Sequence, residues 1–114
     1  MAQGISLIVY PVTDLSASKS FYRTLLGVDP YVDGAYYVGF ETGKLEVGLD
    51  PNARGRGNTM PIGYVDVADI SKALKSLLDS GAQGLQPVRE VGGGLRIATV
   101  KDRDGNILGL RQPA

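Results

Sequence analysis

Tyr64, Asp66 and Arg111 are the residues of this 114-residue chain whose types and spacing most readily support chemistry. Tyr64 and Asp66 stand two apart in the stretch IGYVDV at 62–67, so a strand there sends both to one face. Arg111 closes a second apolar stretch. A guanidinium can grip a carboxylate or phosphate through paired hydrogen bonds, a phenol can stack or donate, and a carboxylate can accept. The competing reading is an ion pair between Asp66 and Arg111 at a strand rim, worth about 1 kcal/mol or less, with Tyr64 as packing.

The residue types that are missing narrow the field further. The chain has no His and no Cys, which removes the usual general base, the usual nucleophilic thiol and the commonest metal ligands. Serine–histidine hydrolysis and histidine–metal catalysis are excluded in their usual forms. Tyr64, Asp66 and Glu46 remain as acids or bases, but a carboxylate needs a raised pKa to serve near neutral pH. No catalytic residue is assigned on this basis.

Other motifs read as structure. Gly92-Gly93-Gly94 neither leads a strand into a helix nor repeats a phosphate-loop pattern, so it turns a hairpin. Arg54-Gly55-Arg56-Gly57 lacks aromatic interleaving and reads as a solvated linker. Asp102-Arg103-Asp104-Gly105 lacks the later bidentate Glu of a calcium loop and reads as a turn. Twelve Lys and Arg balance twelve Asp and Glu, so no charge field gathers nucleic acid or an anionic membrane. No run approaches the roughly 20 apolar residues of a membrane span, and no signal peptide is visible. A cytoplasmic location is expected.

Elements must position these groups. Residues 5–12 (ISLIVYPV) read as a buried strand, Asp14 as a helix N-cap, and Leu15, Ser18, Phe21, Tyr22, Leu25 and Leu26 as a helix closed by Gly27. Strands are expected at 28–32, 35–40 and 45–49, with turns at Asp33-Gly34 and Thr42-Gly43. Residues 50–60 read as a linker or mobile loop. A strand at 62–67, a helix capped by Asp69 and stopped at Ser80-Gly81, and strands at 83–91, 95–100 and 106–111 complete the chain. VTDLS at 12–16 lies opposite VADIS at 67–71, an offset of 55 residues, so the β-α-β-β-β order is a duplication. The expected fold is α+β: one domain, 1–114, of two tandem βαβββ modules (about 1–50 and 61–114, linker 51–60). Their eight strands would form a curved mixed sheet around a cleft, with the helices on the outer face.

VTDLSASKSFY at 12–22 with Leu25-Leu26-Gly27, VDVADI at 65–70, and Asp102-Arg103-Asp104-Gly105-Asn106 together resemble the vicinal oxygen chelate superfamily, which groups glyoxalase I, extradiol dioxygenases and bleomycin-binding resistance proteins. The resemblance covers nearly the whole chain. It implies a divalent metal held by one ligand from each of four strands, and the matching positions are Leu7, Val47, Ile62 and Gly109. None has a donor atom, and Glu46 is one residue out of register with Val47. A member without a metal or other cofactor is therefore expected. Strand alternation in that frame places Leu7, Val9, Tyr37, Val47, Ile62, Tyr64, Asp66, Ile97, Thr99, Gly109 and Arg111 toward the cleft, where a side chain at Gly109 would block the floor.

The reading that follows is a metal-free protein binding a hydrophobic or aromatic small molecule, with Arg111 as the one inward cation for a polar or anionic head. The alternative is a glyoxalase-type lyase, isomerase or dioxygenase-like enzyme with a non-histidine site. A third is a small module that only dimerises. A homodimer is expected, because each half exposes a sheet edge.

Overall fold

The computed structural model describes residues 4–114, which divide into two compact units. One spans Leu7–Ile62; the other spans residues 63–114 and takes in residues 4–6. Each combines one helix with mixed β-structure. The α+β class expected from the duplicated pattern is what the chain adopts.

The first unit holds most of β1 (Ile5–Pro11), then α1 (Leu15–Leu26), β2 (Val32–Asp33), β3 (Val38–Glu41) and β4 (Glu46–Asp50). The strand order is β2-β3-β4-β1, with β1 parallel to β4 and the other pairs antiparallel. The Asp14 carboxylate accepts from the Ala17 amide at 3.0 Å, satisfying a donor that the first helical turn leaves unpaired. Gly27 takes φ 74°, the left-handed conformation that ends the helix. Val12, Val38, Phe40, Val47 and Leu49 form the core, with Tyr10 and the α1 side chains Leu15, Tyr22 and Leu26 against it. Asp14→Ala is expected to cost about 1 kcal/mol, the usual loss for such a cap, read as a lowered urea midpoint with an unchanged slope.

The segment expected to be a linker or mobile loop carries local hydrogen bonds of its own. The Asp50 carboxylate accepts from the Asn52 amide at 2.8 Å and pairs with Arg56. A 3-10 turn at Arg54–Arg56 follows, Ala53 is buried, and Asn58 N–H donates to the Ala53 carbonyl at 2.9 Å. These bonds hold the loop onto the end of β4.

The second unit contains β5 (Ile62–Asp66, all but its first residue), α2 (Ile70–Asp79), β6 (Gln83–Glu90), β7 (Arg96–Lys101) and β8 (Ile107–Gln112). Its order is β5-β8-β7-β6, with β5 parallel to β8 and the others antiparallel. Asp69 caps α2 by accepting from Lys72 N–H at 3.1 Å, and the Gln112 amide oxygen accepts from Ile70 N–H at 2.9 Å. Val67, Ile70, Ala98 and Leu110 are the core, backed by Val65, Ala73, Leu74, Leu77 and Val88. The glycine triplet turns β6 into β7 through Val91 N–H to the Leu95 carbonyl at 2.9 Å. Asp102 closes the last turn by accepting from Asp104 N–H and from both nitrogens of Asn106.

Candidate functional site

Which face of a strand meets the helix is decided by the core, and the opposite face is where the candidate residues must lie. In the second unit Val65, Ala98 and Leu110 pack toward α2. Alternation then turns Tyr64 and Asp66, Ile97 and Thr99, and Gly109 and Arg111 to the other face. The register agrees, since Tyr64 lies beside Gly109, Asp66 beside Arg111 and Gly109 beside Thr99. Six of the expected residues thus share one face of one unit.

Two contacts organise that face. The Tyr64 ring lies on the Gly109 backbone: a Cβ at 109 would stand 2.6 Å from Tyr64 Cγ and closer still to Cδ2 and Cε2. Gly109 and Thr99 are buried, and the ring itself is half-buried. The floor that a side chain at 109 was expected to block is already covered by Tyr64. Beside it, Arg111 Nε donates to Asp66 Oδ1 at 2.7 Å and Nη2 donates to Oδ2 at 3.3 Å. Ser6 accepts from Arg111 Nη2 at 3.2 Å and donates to Asp66 Oδ1 at 2.8 Å.

This pair is not at a solvated rim. The side chains are 11 % (Arg111) and 24 % (Asp66) exposed, so the expected weak surface pair is replaced by a bidentate, largely buried one. Burial pushes the Asp66 carboxyl up, but the hydrogen bonds from Arg111 and Ser6 and the guanidinium charge outweigh it, leaving the pKa below the ordinary value. Ser6 had no signal in the sequence. The alternation that sends Leu7 to one face of β1 sends Ser6 to the other.

In the first unit, one expected site residue is misplaced. Val47 packs with Val12, Phe40 and Leu49 on the α1 side, so it cannot face away from the helix. Its neighbours in β4, Glu46 and Gly48, take that role, in register with Leu7 and Val9 of β1. The matching pattern is VGLD at 47–50 against LGLR at 108–111, which aligns Gly48 with Gly109. The geometry repeats as well. A Cβ at Gly48 would stand 2.6 Å from Tyr37 Cζ and 2.9 Å from Cε1, so Tyr37 lies on Gly48 as Tyr64 lies on Gly109. Tyr31 flanks Tyr37 above Gly39, and its hydroxyl donates to Glu46. Leu7 and Ile62 are both buried.

The donor set does not fit a bound metal. Leu7, Ile62, Gly48 and Gly109 carry no ligating atom, Glu46 accepts from Tyr31, and Asp66 is saturated by Arg111 and Ser6. Among the described residues no three carboxylates gather in one place.

Two surface hollows lie elsewhere. One, of about 420 Å³, is lined by Ser20, Arg23, Thr24, Gly27, Val28 and Asp29. The other, of about 250 Å³, lies beside the Lys19–Asp33 ion pair. Both sit on α1, are open to water and contain none of the sequence-derived site residues. The Arg23–Asp29 pair across the larger one is more than half exposed, so that hollow lacks the buried apolar lining of a small-molecule site.

The sequence profile of the Glyoxalase/Bleomycin resistance protein/Dioxygenase superfamily matches residues 4–110. No curated protein matches the chain. Among solved structures, a hypothetical protein from Bacillus halodurans C-125 superposes with a TM-score of 0.79 at 15 % identity, covering 96 % of this chain and 94 % of its own. A variant of Streptomyces coelicolor methylmalonyl-CoA epimerase in complex with 2-nitronate-propionyl-CoA gives 0.76 at 18 %, covering 100 % and 99 %. A superfamily member from Vibrio splendidus 12B01 gives 0.71 at 16 %, covering 93 % and 96 %. At these identities the likeness concerns the fold.

Proposed function

This chain belongs to the Glyoxalase/Bleomycin resistance protein/Dioxygenase superfamily, and within it we propose a metal-independent protein that binds a hydrophobic or aromatic small molecule. The binding surface of the proposal is the sheet face turned away from the helix. The observation that carries it is the tyrosine laid on a strand glycine, Tyr64 on Gly109 and Tyr37 on Gly48, where metal-binding relatives would be expected to project a ligand. A ring in that place offers apolar contact and stacking, the usual lining of a small-molecule site.

Native mass spectrometry of protein purified from its own host is expected to show one retained small molecule per chain, and elemental analysis no stoichiometric zinc, nickel, iron or manganese. One such metal per chain, lost in Glu46→Gln, would overturn the proposal. The homodimer and the cytoplasmic location belong to the same proposal; among the described residues no helix is long and apolar enough to cross a membrane. Pairing through β6 is disfavoured by Pro87 and by two register shifts along that strand. The exposed apolar side chains Phe21 and Leu25, one turn apart on α1, are a better source of association. Light scattering at micromolar concentration is expected to give twice the 12.1 kDa chain mass; a monomer mass would count against the dimer.

The structural neighbours favour one second reading, an epimerase or lyase acting on a small acyl substrate. It needs a general base, and Asp66 is a poor one: its pKa is lowered, and Arg111 and Ser6 both donate to its carboxylate. Turnover of methylmalonyl-CoA, or of the methylglyoxal–glutathione adduct, that is lost in Asp66→Asn would establish that reading instead.

A further inference from the structure

Resting on the binding reading above, we propose that the bound molecule carries an anionic group, a carboxylate or sulfonate, and that Arg89 and Lys101 hold it rather than Arg111. The register lays out the face of the second unit turned away from α2. Ile97 of β7 stands between Arg111 of β8 and Arg89 of β6, Thr99 stands between Gly109 and Gln86, and Lys101 between Ile107 and Gln83. Residues paired across neighbouring strands share a face. Gln86 and Arg89 are three apart, and the register shift between them returns Arg89 to this face; Val88 beside it packs toward α2.

Arg111 is already engaged by Asp66, by Ser6 and by further contacts of its own. Arg89 and Lys101 differ, since among the described residues neither is in an ion pair. The unit's carboxylates other than Asp66 lie off this face. Asp69 caps α2, Asp79 pairs with Lys75, Glu90 is in register with Arg96 on the helix side, and Asp102 and Asp104 form the turn before β8. Asp66 and Arg111 cancel, so the face keeps two uncompensated positive charges. A cation on an edge strand can serve to discourage strand pairing, which would account for Arg89 on β6. It does not account for Lys101, half-buried on the interior strand β7. Ile97 and Lys101 are four residues apart, roughly 13 Å along the strand. From either end, two long side chains can lean over Gln86 and the short Thr99. An anionic head seated there meets two cations and an amide donor, and the half-buried Ile97 and Ile107 offer apolar contact to the body of the molecule.

N-phenyl-1-naphthylamine and 1-anilinonaphthalene-8-sulfonate test this directly, since the second is the first with a sulfonate added and both brighten in apolar surroundings. Titrated into the full chain at low salt, the sulfonate is expected to bind at least about tenfold more tightly than the neutral probe. Arg89→Gln and Lys101→Gln should each weaken the sulfonate about five- to tenfold and leave the neutral probe unchanged. Arg96→Gln removes the same charge from the helix side of β7 and should alter neither. Neutral binding as tight as the sulfonate's, or tighter, in the unaltered chain overturns the anionic class and leaves the binding reading standing. Binding of neither probe overturns both. Sulfonate affinity that survives either Arg89→Gln or Lys101→Gln overturns the shared grip, and an equal loss in Arg96→Gln shows attraction by net charge alone and overturns the site.

Discussion

Gly109→Ala is expected to destabilise the protein by about 2–4 kcal/mol, an effect out of proportion to one methyl group. The added Cβ would stand 2.6 Å from Tyr64 Cγ, against the body of the ring and near its fixed end. Neither side can give way easily. Gly109 sits mid-strand in β8, paired to Tyr64 on one side and Thr99 on the other, so its backbone cannot retreat without breaking ladder hydrogen bonds. The ring must leave the glycine and surrender its contact, or the strand must shift. The diagnostic experiment is a double-mutant cycle by urea unfolding. With Tyr64→Ala already present, Gly109→Ala should cost nothing, or stabilise by about 0.5–1 kcal/mol through the reduced entropy of the unfolded chain. Equal costs in both backgrounds would show that the ring–glycine contact is not what requires glycine at 109. Gly48→Ala should cost less, because the added atom meets the hydroxyl end of Tyr37, which can pivot away.

The two ring–glycine contacts also show where sequence reasoning reached and where it stopped. The helix caps were legible because capping is local: Asp14 and Asp69 need only the amide three residues on. The faces of β5, β7 and β8 were legible because one side of each is apolar and packs on α2. The face of β4 was not, since Val47 was taken as the counterpart of Gly109 and the match was set one residue out. A one-residue slip exchanges the two faces of a strand. The repeated glycine between Val47 and Leu49, and between Leu108 and Leu110, was the available signal. The expected strand at 28–32 shrank to Val32–Asp33, because Pro30 has no N–H to give a ladder. The loop after β4 read as a linker or mobile loop by composition, and the Asp50 carboxylate makes contacts within it that composition cannot foresee. The Ser6 link to Asp66 and Arg111 joins residues 60 and 105 positions apart; only the fold brings them together.

Arg111→Met carries the second large effect, and its pH dependence separates the buried pair from a rim pair. Methionine keeps much of the apolar stem and removes both donors and the charge. Breaking a fully buried pair costs about 3–5 kcal/mol and an exposed one about 0–1 kcal/mol. With Asp66 24 % and Arg111 11 % exposed, the expected loss at neutral pH is about 2–3 kcal/mol. In the unaltered protein the Asp66 pKa is lowered on folding. Its contribution is therefore fully present above the unfolded value of about 3.9 and is lost as pH falls through the folded value. Without Arg111, burial still pushes the carboxyl up and only the Ser6 hydrogen bond opposes it, so the folded pKa should rise above the unfolded one. Ionised Asp66 then opposes folding near neutrality, and protonation relieves it. The stability gap between the two proteins should accordingly be widest near pH 7 and should narrow as pH falls through the raised carboxyl value of the variant and on toward the lowered value of the unaltered protein. A gap that stays constant from neutral to acid pH would mean that Arg111 acts through packing alone. A gap under about 0.5 kcal/mol at neutral pH would return the pair to the solvent-screened rim.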